Sequence, residues 1–200
     1  MARLFVPGWG APASVYAVPQ GWDVLDPPPA DSVDARLRWV RDELALYDEP
    51  VTLAGHSLGA AVAVLAALAE PDRVERLLLF SPAGLPLTKP VRASVRDFAA
   101  QVRDRIYPAA LALRAAAALA ASPRSAARLA RSVRGLDLAV ELAALAVPTE
   151  VVACVGDTLT PVAHCRRVAS LARAAYRELD VPGGHMWMLA DPVLFAAALA

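Results

Sequence analysis

The chain has 200 residues, of which 57% are hydrophobic, and a formal net charge of +0; its mean hydropathy is +0.42. The length suits one folded domain whose core needs no disulfide or metal, and the hydrophobic content excludes a disordered protein. Zero net charge argues against nucleic-acid binding, which needs a positive surface against phosphate. Because the apolar stretches fall short of the about 20 residues that cross a bilayer, we expect no membrane span.

The N-terminus and the cysteines indicate a cytoplasmic protein. A single arginine precedes the apolar residues 4–6, and Pro7 and Gly8 then end a segment too short to be a signal-peptide core. Without an export signal, Cys154 and Cys165 are expected to be free thiols in a reducing compartment. Their spacing matches no metal or redox pair, and we expect no metal or organic cofactor.

Short apolar runs alternate with helical patterns along most of the chain. Apolar residues recur every three or four positions over residues 32–47, which predicts a helix. Continuous apolar runs are typical of strands in a parallel sheet that helices cover on both faces. Strands are predicted at residues 4–6, 22–25, 51–54, 77–80, 150–155 and 176–181, which together predict an α/β fold with about six parallel strands.

One long segment breaks the alternation. Between residues 87 and 147 there is no strand pattern, only Ala, Leu and Arg at helical spacing. Because proline and glycine interrupt helices, we expect three or four short helices here; the interruptions are Pro90, Pro108, Pro123 and Gly135. We therefore predict a core of residues 1–86 and 147–200 and a helical cap, or lid, of residues 87–146 inserted between two strands.

The strongest chemical pattern is residues 55–59, Gly-His-Ser-Leu-Gly, which follow a predicted strand and precede an Ala-rich helix. This context matches the nucleophile elbow, in which a serine stands exposed at a sharp strand-to-helix turn. Ser57 is therefore the candidate nucleophile. The alternative is an ordinary strand-turn-helix in which the serine is incidental.

A serine hydroxyl needs a base, and the chain has three histidines. His185 follows the last predicted strand, at the sheet edge where Ser57 emerges and where catalytic groups gather. His56 adjoins Ser57 and points elsewhere, so we expect it to be structural. His164 lies in the helix predicted after the fifth strand, and we expect it to be a surface or packing residue. We therefore assign the base to His185.

A carboxylate must orient that imidazole, and Asp157, after the fifth predicted strand, is the candidate. The chain order Ser57, Asp157, His185 is the one expected with this elbow. Asp180 is a weaker rival because it lies in a predicted strand, only five residues before His185. The alternative for Asp157 is a helix cap. Two other aspartates, Asp72 and Asp137, are expected to be capping or surface groups.

Ester cleavage also needs hydrogen-bond donors for the developing oxyanion. The main-chain N–H of Leu58 follows the nucleophile and is one predicted donor. The second is the main-chain N–H of Trp9, in the loop after the first strand. The Trp9 indole either lines an acyl pocket or simply packs at the loop.

Four segments, residues 6–10, 55–59, 156–161 and 183–185, resemble those of α/β-hydrolase superfamily serine esterases, in the same order. Residues 145–149 resemble the lead-in to a later family strand. The most similar branch is the small esterases of the pimeloyl-acyl-carrier-protein methyl ester esterase type, whose oxyanion loop reads His-Gly-Trp-Gly. Pro7 stands where that histidine is usual, which keeps a backbone donor possible and changes the support of the loop.

The resemblance implies a minimal α/β-hydrolase fold that lacks the family's first antiparallel hairpin. The implied strand order across the sheet is second, first, third, fourth, fifth and sixth along this chain. The segment 87–146 falls where the family carries its cap. The resemblance thus agrees with the cap and core predicted from the helical and strand patterns.

The substrate is less well defined. Met186 and Trp187, with Met188, either line an acyl pocket beside His185 or pack the last helix. Arginines of the cap either are solvated or dock an anionic partner such as an acyl carrier protein or a coenzyme A thioester, as the resembling methyl esterases do. These arginines are Arg92, Arg96, Arg103, Arg105, Arg114, Arg124, Arg128, Arg131 and Arg134.

Together these features predict a cytoplasmic serine hydrolase that cleaves a small-molecule carboxylic ester through an acyl-enzyme, with Ser57, Asp157 and His185 as catalytic residues. Two alternatives remain open, because fold alone does not determine function. One is a thioesterase or acyl-carrier-protein methyl ester esterase with the same three residues. The other is a non-catalytic ligand-binding protein of this fold.

Overall fold

A computed structural model of the chain describes residues 1–87, 89 and 91–200, and for residues 91–95 it describes the backbone alone. Its six strands form one parallel sheet in the order β2-β1-β3-β4-β5-β6, which confirms the predicted order. The strands are β1 Arg3–Val6, β2 Asp23–Val24, β3 Val51–His56, β4 Val74–Phe80, β5 Thr149–Cys154 and β6 Ala175–Leu179.

Helices connect the strands and follow the last one. Ser32 begins the first helix as its N-cap, and its hydroxyl accepts a hydrogen bond from the Ala35 N–H at 3.2 Å. The helices are α1 Val33–Leu44, α2 Leu58–Ala69, α3 Val91–Arg103, α4 Ala109–Ala121, α5 Pro123–Arg134, α6 Ala139–Ala144, α7 Val162–Ala172, α8 Trp187–Ala190 and α9 Pro192–Ala198. Among the described residues no helix is both long and apolar enough to cross a membrane.

Both faces of the sheet are buried, which explains the continuous apolar runs. Alternate strand residues such as Leu53 and Leu77 join one cluster with residues of α1, α2 and α7. Their neighbours Ala54 and Leu78 join a second cluster that includes Phe195 of α9. Since side chains of a strand alternate between faces, β1, β3, β4 and β5 each contribute buried residues to both clusters.

Several strands have boundaries that differ from the prediction. β4 begins at Val74, three residues before the predicted start, because Val74 already pairs with Val51 of β3. The partly exposed Glu75 and the exposed Arg76 interrupt the apolar run there. The pairing continues with Arg76 opposite Thr52, after a register shift that leaves Glu75 without a partner in β3. β3 continues through His56, which pairs with Phe80 at the carboxyl edge of the sheet.

The helices between β4 and β5 divide into two groups. Residues of α3, α4 and α5 line a cavity at the carboxyl edge of the sheet. In contrast, α6 packs against α2 and α7, and its Leu142 is buried in the cluster of the first sheet face. The cap boundaries at residues 87 and 146 remain a prediction. Within this segment α6 packs on the core, whereas α3, α4 and α5 lie at the cavity.

Candidate active site

Ser57 occupies a strained turn between β3 and α2. Its φ of 55° and ψ of −115° are rare for a residue with a side chain and typical of functional turns. A Cβ at Gly55 would lie 2.5 Å from the Gly59 carbonyl carbon, and a Cβ at Gly59 would lie 2.0 Å from the Val6 oxygen. The two glycines are therefore needed because strand and helix approach too closely for any side chain.

The predicted nucleophile, base and acid lie in one hydrogen-bonded chain. His185 Nε2 is 3.0 Å from Ser57 Oγ, and His185 Nδ1 is 2.8 Å from Asp157 Oδ2. Because an ionised carboxylate only accepts hydrogen bonds, Nδ1 carries the proton and Nε2 is left to accept from the serine hydroxyl. The structure thus brings Ser57 together with His185, 128 residues away in the sequence, and with Asp157.

Asp157 is held ionised in a buried position. Its Oδ1 accepts from the Leu159 and Thr160 N–H groups at 2.8 and 2.9 Å, and its Oδ2 accepts from the Thr160 hydroxyl at 2.7 Å. Burial acts to raise the pKa of Asp157, but the charge of His185 and these hydrogen bonds outweigh it and lower the pKa to about 2. The carboxylate therefore holds both the turn before α7 and His185.

The other two histidines are engaged elsewhere. His56 is buried, with Nδ1 2.9 Å from the Tyr16 hydroxyl and Nε2 2.9 Å from the His185 carbonyl oxygen. Desolvation and the nearby His185 lower the pKa of His56 to about 3. His164 Nε2 lies 3.1 Å from the Pro82 carbonyl oxygen, so it packs as expected.

The rival acids lie away from the imidazole. Asp180 and Asp72 are exposed, as is Asp137. The Asp137 carboxylate accepts from the Ala139 N–H at 3.1 Å at the exposed start of α6, where Leu138 is the N-cap residue. Of the four candidate acids, Asp157 is the one hydrogen-bonded to His185.

The two predicted oxyanion donors flank the serine turn. Leu58 is the first residue of α2, and Trp9 lies in the turn after β1. Over the described part of the chain, neither main-chain N–H donates to a protein acceptor. The Trp9 indole N–H donates to the Ala126 carbonyl of α5 at 3.0 Å, which ties this loop to the cap.

A cavity of about 280 Å³ opens over Ser57 and His185. Its walls are largely apolar and come from the β1 loop, from the turn after β6 and from three helices of the cap. Pockets of this character favour apolar ligand groups that are oriented by a few polar atoms. Apolar residues of the wall include Trp9, Ala112, Ala115, Leu119, Val133 and Met186.

The prediction of Trp187 as a pocket residue is wrong. Its side chain is fully buried and packs on Phe80 and Phe195, with ring centroids 6.2 and 5.9 Å apart. Met188 is likewise buried in this core cluster. The helical turn that begins at Trp187 rotates successive side chains by about 100°, so Met186 lines the cavity and its neighbour points into the core.

The cap arginines are solvent-exposed wherever their side chains are described, and that of Arg92 lies outside the described residues. Arg103 pairs with Asp104 and Arg128 pairs with Asp31, both at exposed positions where such pairs add little stability. Arg134 lies at the end of α5 and lines the cavity. The region around the cavity therefore carries exposed positive charge.

Sequence reasoning missed two residues of this site. The Thr160 hydroxyl supports Asp157, and the spacing Asp-x-x-Thr at the start of a turn was the available signal, because such threonines commonly bond the aspartate. The Tyr16 hydroxyl contacts His56 and the Gly8 N–H. No sequence signal marked Tyr16, since its partners are distant in the chain.

Comparisons with known proteins identify the family and the fold of the chain. A profile of the alpha/beta hydrolase family matches residues 4–198, whereas no curated protein sequence matches the chain. Among solved structures, the chain is similar to N-formylmaleamic acid deformylase from Pseudomonas putida S16, with a TM-score of 0.80, 19% identity, and coverage of 100% of this chain and 92% of that one.

Two further structures are similar over nearly the whole chain. An enol-lactonase from Burkholderia xenovorans LB400 has a TM-score of 0.77 and 21% identity, with 100% of this chain and 90% of that chain covered. A thioesterase domain from the curacin biosynthetic pathway has a TM-score of 0.67 and 18% identity, with coverage of 99% and 90%. At these identities the similarities establish a shared fold.

Proposed function

The chain belongs to the alpha/beta hydrolase family, and we propose that it is a serine hydrolase that cleaves carboxylic esters through an acyl-enzyme. One observation carries the proposal: Ser57, His185 and Asp157 are linked by hydrogen bonds of 3.0 and 2.8 Å beneath an apolar cavity. This arrangement suits a nucleophile, its base and the carboxylate that orients the base.

The proposed reaction follows from the proton positions. Ser57 Oγ attacks the ester carbonyl while its proton passes to His185 Nε2, and Asp157 stabilises the imidazolium that forms. The N–H groups of Leu58 and Trp9 donate to the oxyanion. His185 then protonates the departing alcohol, and a water molecule, activated by the same imidazole, cleaves the acyl-enzyme and restores Ser57.

A fluorophosphonate probe tests whether the serine is a nucleophile. We expect the wild-type protein to label at Ser57 and to hydrolyse p-nitrophenyl butyrate, because a serine paired with a neutral imidazole reacts with both. Peptide mapping of the labelled protein locates the modified serine. A well-folded wild-type protein that neither labels nor turns over short esters would instead support the non-catalytic ligand-binding alternative.

The apolar cavity is the proposed site of the acyl chain, and α4 provides an alanine face there. Replacing Ala115 with Leu places three more carbon atoms in the cavity wall. We expect kcat/KM for p-nitrophenyl octanoate to fall about tenfold, since crowding a packed site costs 1–3 kcal/mol. The acetate ester should be affected little, because its acyl group does not extend past the serine.

Ala117→Leu is the matched control for Ala115→Leu. Ala117 lies on the same helix, is exposed and is not part of the cavity wall, so the variant adds the same volume outside the site. Rates are compared across p-nitrophenyl esters from acetate to decanoate. An equal loss for the acetate and octanoate esters would show that the cavity does not hold the acyl chain.

A second candidate is a thioesterase or acyl-carrier-protein ester hydrolase that uses the same residues. The exposed cap arginines favour it, because Arg134 lines the cavity and exposed positive charge attracts an anionic carrier or coenzyme A. We expect Arg134→Glu to lower kcat/KM for an acyl-carrier-bound ester about tenfold more than kcat/KM for p-nitrophenyl butyrate at low salt, because the free ester carries no negative charge for the arginine to attract.

Arg3→Glu is the control for this charge reversal. Arg3 begins β1, at the sheet edge opposite the cavity, and is exposed. Steady-state rates with both substrates are measured at low and high ionic strength, because screening should remove a docking effect. Equal losses with Arg3→Glu and Arg134→Glu, or a loss that salt does not change, would refute docking at the cap.

The proposal includes a cytoplasmic location. Cys154 and Cys165 are free and buried, which is the state of thiols in a reducing compartment. Burial raises the pKa of both thiols, so they stay protonated and unreactive at neutral pH. Neither thiol takes part in the proposed reaction.

A further inference from the structure

We propose that Tyr16 and His56 are positioning residues that hold the oxyanion loop and His185 in the geometry of the reaction. The proposal rests on the proposed ester hydrolysis. Its basis is an unbroken chain of hydrogen bonds through the buried interior. The chain runs from the Gly8 N–H to the Tyr16 hydroxyl at 3.1 Å, to His56 Nδ1 at 2.9 Å and, from His56 Nε2, to the His185 carbonyl at 2.9 Å.

The direction of every bond in this chain follows from one acceptor. A carbonyl oxygen only accepts, so His56 Nε2 carries the ring proton and donates it to His185. In a neutral ring Nδ1 is then an acceptor, and the Tyr16 hydroxyl donates to it. The Tyr16 oxygen in turn accepts from the Gly8 N–H. All donors and acceptors along this line are satisfied.

Burial keeps the hydrogen-bonded groups, Tyr16 and His56, in this single protonation state. His56 is 1% exposed and Tyr16 is 7% exposed. Desolvation lowers the pKa of His56 to about 3, with a further contribution from His185, and raises the pKa of Tyr16. Both groups therefore stay neutral when His185 becomes an imidazolium during the reaction, so the hydrogen bonds persist through the catalytic cycle.

The line of hydrogen bonds ends at Gly8, whose carbonyl belongs to the same peptide group as the N–H of the predicted donor Trp9. The Gly8 carbonyl accepts from the Ala11 N–H at 3.3 Å, while the Gly8 N–H is held by Tyr16. In a trans peptide the carbonyl and the N–H point in opposite directions. Fixing the Gly8 carbonyl therefore also fixes the direction of the Trp9 N–H.

Close packing joins the loop to His56 as well. A Cβ at Gly8 would lie 2.9 Å from His56 Nδ1, so the loop backbone sits directly against the imidazole. At its other end, His56 lies beside His185, with ring centroids 4.8 Å apart. One buried side chain thus contacts both the loop that binds the oxyanion and the residue that moves the proton.

Tyr16→Phe isolates the hydroxyl from the packing of the ring. The Tyr16 ring packs on Phe5 and Phe195, with centroids 4.7 and 6.4 Å apart, and phenylalanine retains those contacts. Removing the hydroxyl leaves the buried Gly8 N–H and His56 Nδ1 without partners, which is the costly kind of hydrogen-bond loss. We expect kcat to fall about tenfold with KM nearly unchanged.

The rate is expressed per reactive serine, and the reactive serines are counted from the extent of labelling in a fluorophosphonate titration. The affinity of a trifluoromethyl ketone, which forms an oxyanion adduct with serine, should weaken by the same factor as kcat/KM. A role in folding alone would lower the number of reactive sites and leave kcat per site unchanged. Equal kcat per site and equal ketone affinity in wild type and Tyr16→Phe would therefore overturn the proposal.

Two comparisons complete the test. Tyr176→Phe removes a hydroxyl that bonds Glu178 on β6, away from the site, and should leave kcat per site unchanged. His56→Gln keeps one donor and one acceptor and should retain more activity than His56→Leu, which keeps neither. Equal losses in the two variants would contradict the inference.

Failure of this inference can be told apart from failure of the proposed function. If the wild-type protein itself fails to label or turn over esters, the proposed function fails. If the wild type is active and Tyr16→Phe has the same kcat per site, this inference alone is refuted.

Discussion

Replacing Ser57 with Ala is expected to lower kcat for p-nitrophenyl butyrate by roughly a million-fold, to the level left by binding and oxyanion donors alone. The loss is large because the imidazole of His185, 3.0 Å from the serine oxygen, has no proton to take from alanine. Labelling by the fluorophosphonate should disappear as well. Single-turnover kinetics and intact-protein mass spectrometry measure both effects.

Ser170→Ala is the control for the loss of a hydroxyl. Ser170 is exposed on α7, and its variant should react and label like the wild type. Circular dichroism and thermal unfolding confirm that both variants fold. Turnover by Ser57→Ala within tenfold of the wild-type rate, or labelling that maps to another serine, would refute the assignment of Ser57 as the nucleophile.

Replacing Asp157 with Asn is expected to lower kcat about ten-thousand-fold. In the wild type the carboxylate accepts the proton on His185 Nδ1 at 2.8 Å and so leaves Nε2 free to accept from Ser57. An amide nitrogen at that position favours the other tautomer and gives no charge to stabilise the imidazolium. The rate is measured with p-nitrophenyl butyrate between pH 6 and 9.

Asp180→Asn is the matched control, since Asp180 is the rival acid of the sequence and is exposed. Its variant should keep the wild-type rate. A large loss in Asp180→Asn together with a small one in Asp157→Asn would transfer the orienting role to Asp180. Losses below tenfold in both variants would remove the carboxylate from the mechanism.

The same substitution has a pH-dependent effect on stability. Because the pKa of Asp157 falls to about 2 on folding, its carboxylate stabilises the folded protein at pH values above its unfolded pKa of about 4. That contribution, about 2 kcal/mol, disappears as the pH falls from about 4 to about 2. The free energy of unfolding of Asp157→Asn should therefore approach that of the wild type in acid.

Urea unfolding at pH 6, 4 and 2.5 measures this difference for the wild type and for Asp157→Asn. The gap between the two proteins should be largest at pH 6 and close progressively at the lower values. Asp180→Asn again serves as the control and should track the wild type throughout. A gap that stays constant with pH would mean that the Asp157 pKa is not lowered by folding.

The functional residues could be predicted from the sequence because the patterns that mark them are local. The turn at residues 55–59, the loop after β5 and the loop after β6 each carry their functional residue beside glycine or proline, where the chain must turn. Parallel strands place their carboxyl ends at one edge, so assigning residues to strand ends also brought them to one site. The alternation of strand and helix likewise predicted the sheet.

Strand boundaries were less predictable, since hydrogen bonding continues past the apolar run. Glu75 and Arg76 are polar, yet β4 includes them because Val74 and Arg76 on either side of Glu75 pair with β3. The polarity of side chains at the end of a strand reflects their exposure to solvent, whereas the extent of the strand is set by backbone hydrogen bonding. The apolar pattern therefore located the strands more reliably than their ends.

The supports of the site depended on the tertiary structure. Tyr16 meets His56 across 40 residues, and His56 meets the carbonyl of His185 across 129, so no local pattern indicates either contact. Trp187 shows the same limit, because whether it enters the cavity or the core depends on the rotation of a short helix against Phe80. Local turns and periodicity, which the sequence encodes over a few residues, determined the fold class and the candidate reacting groups. Packing between distant segments alone decided which side chains orient those groups and which line the cavity.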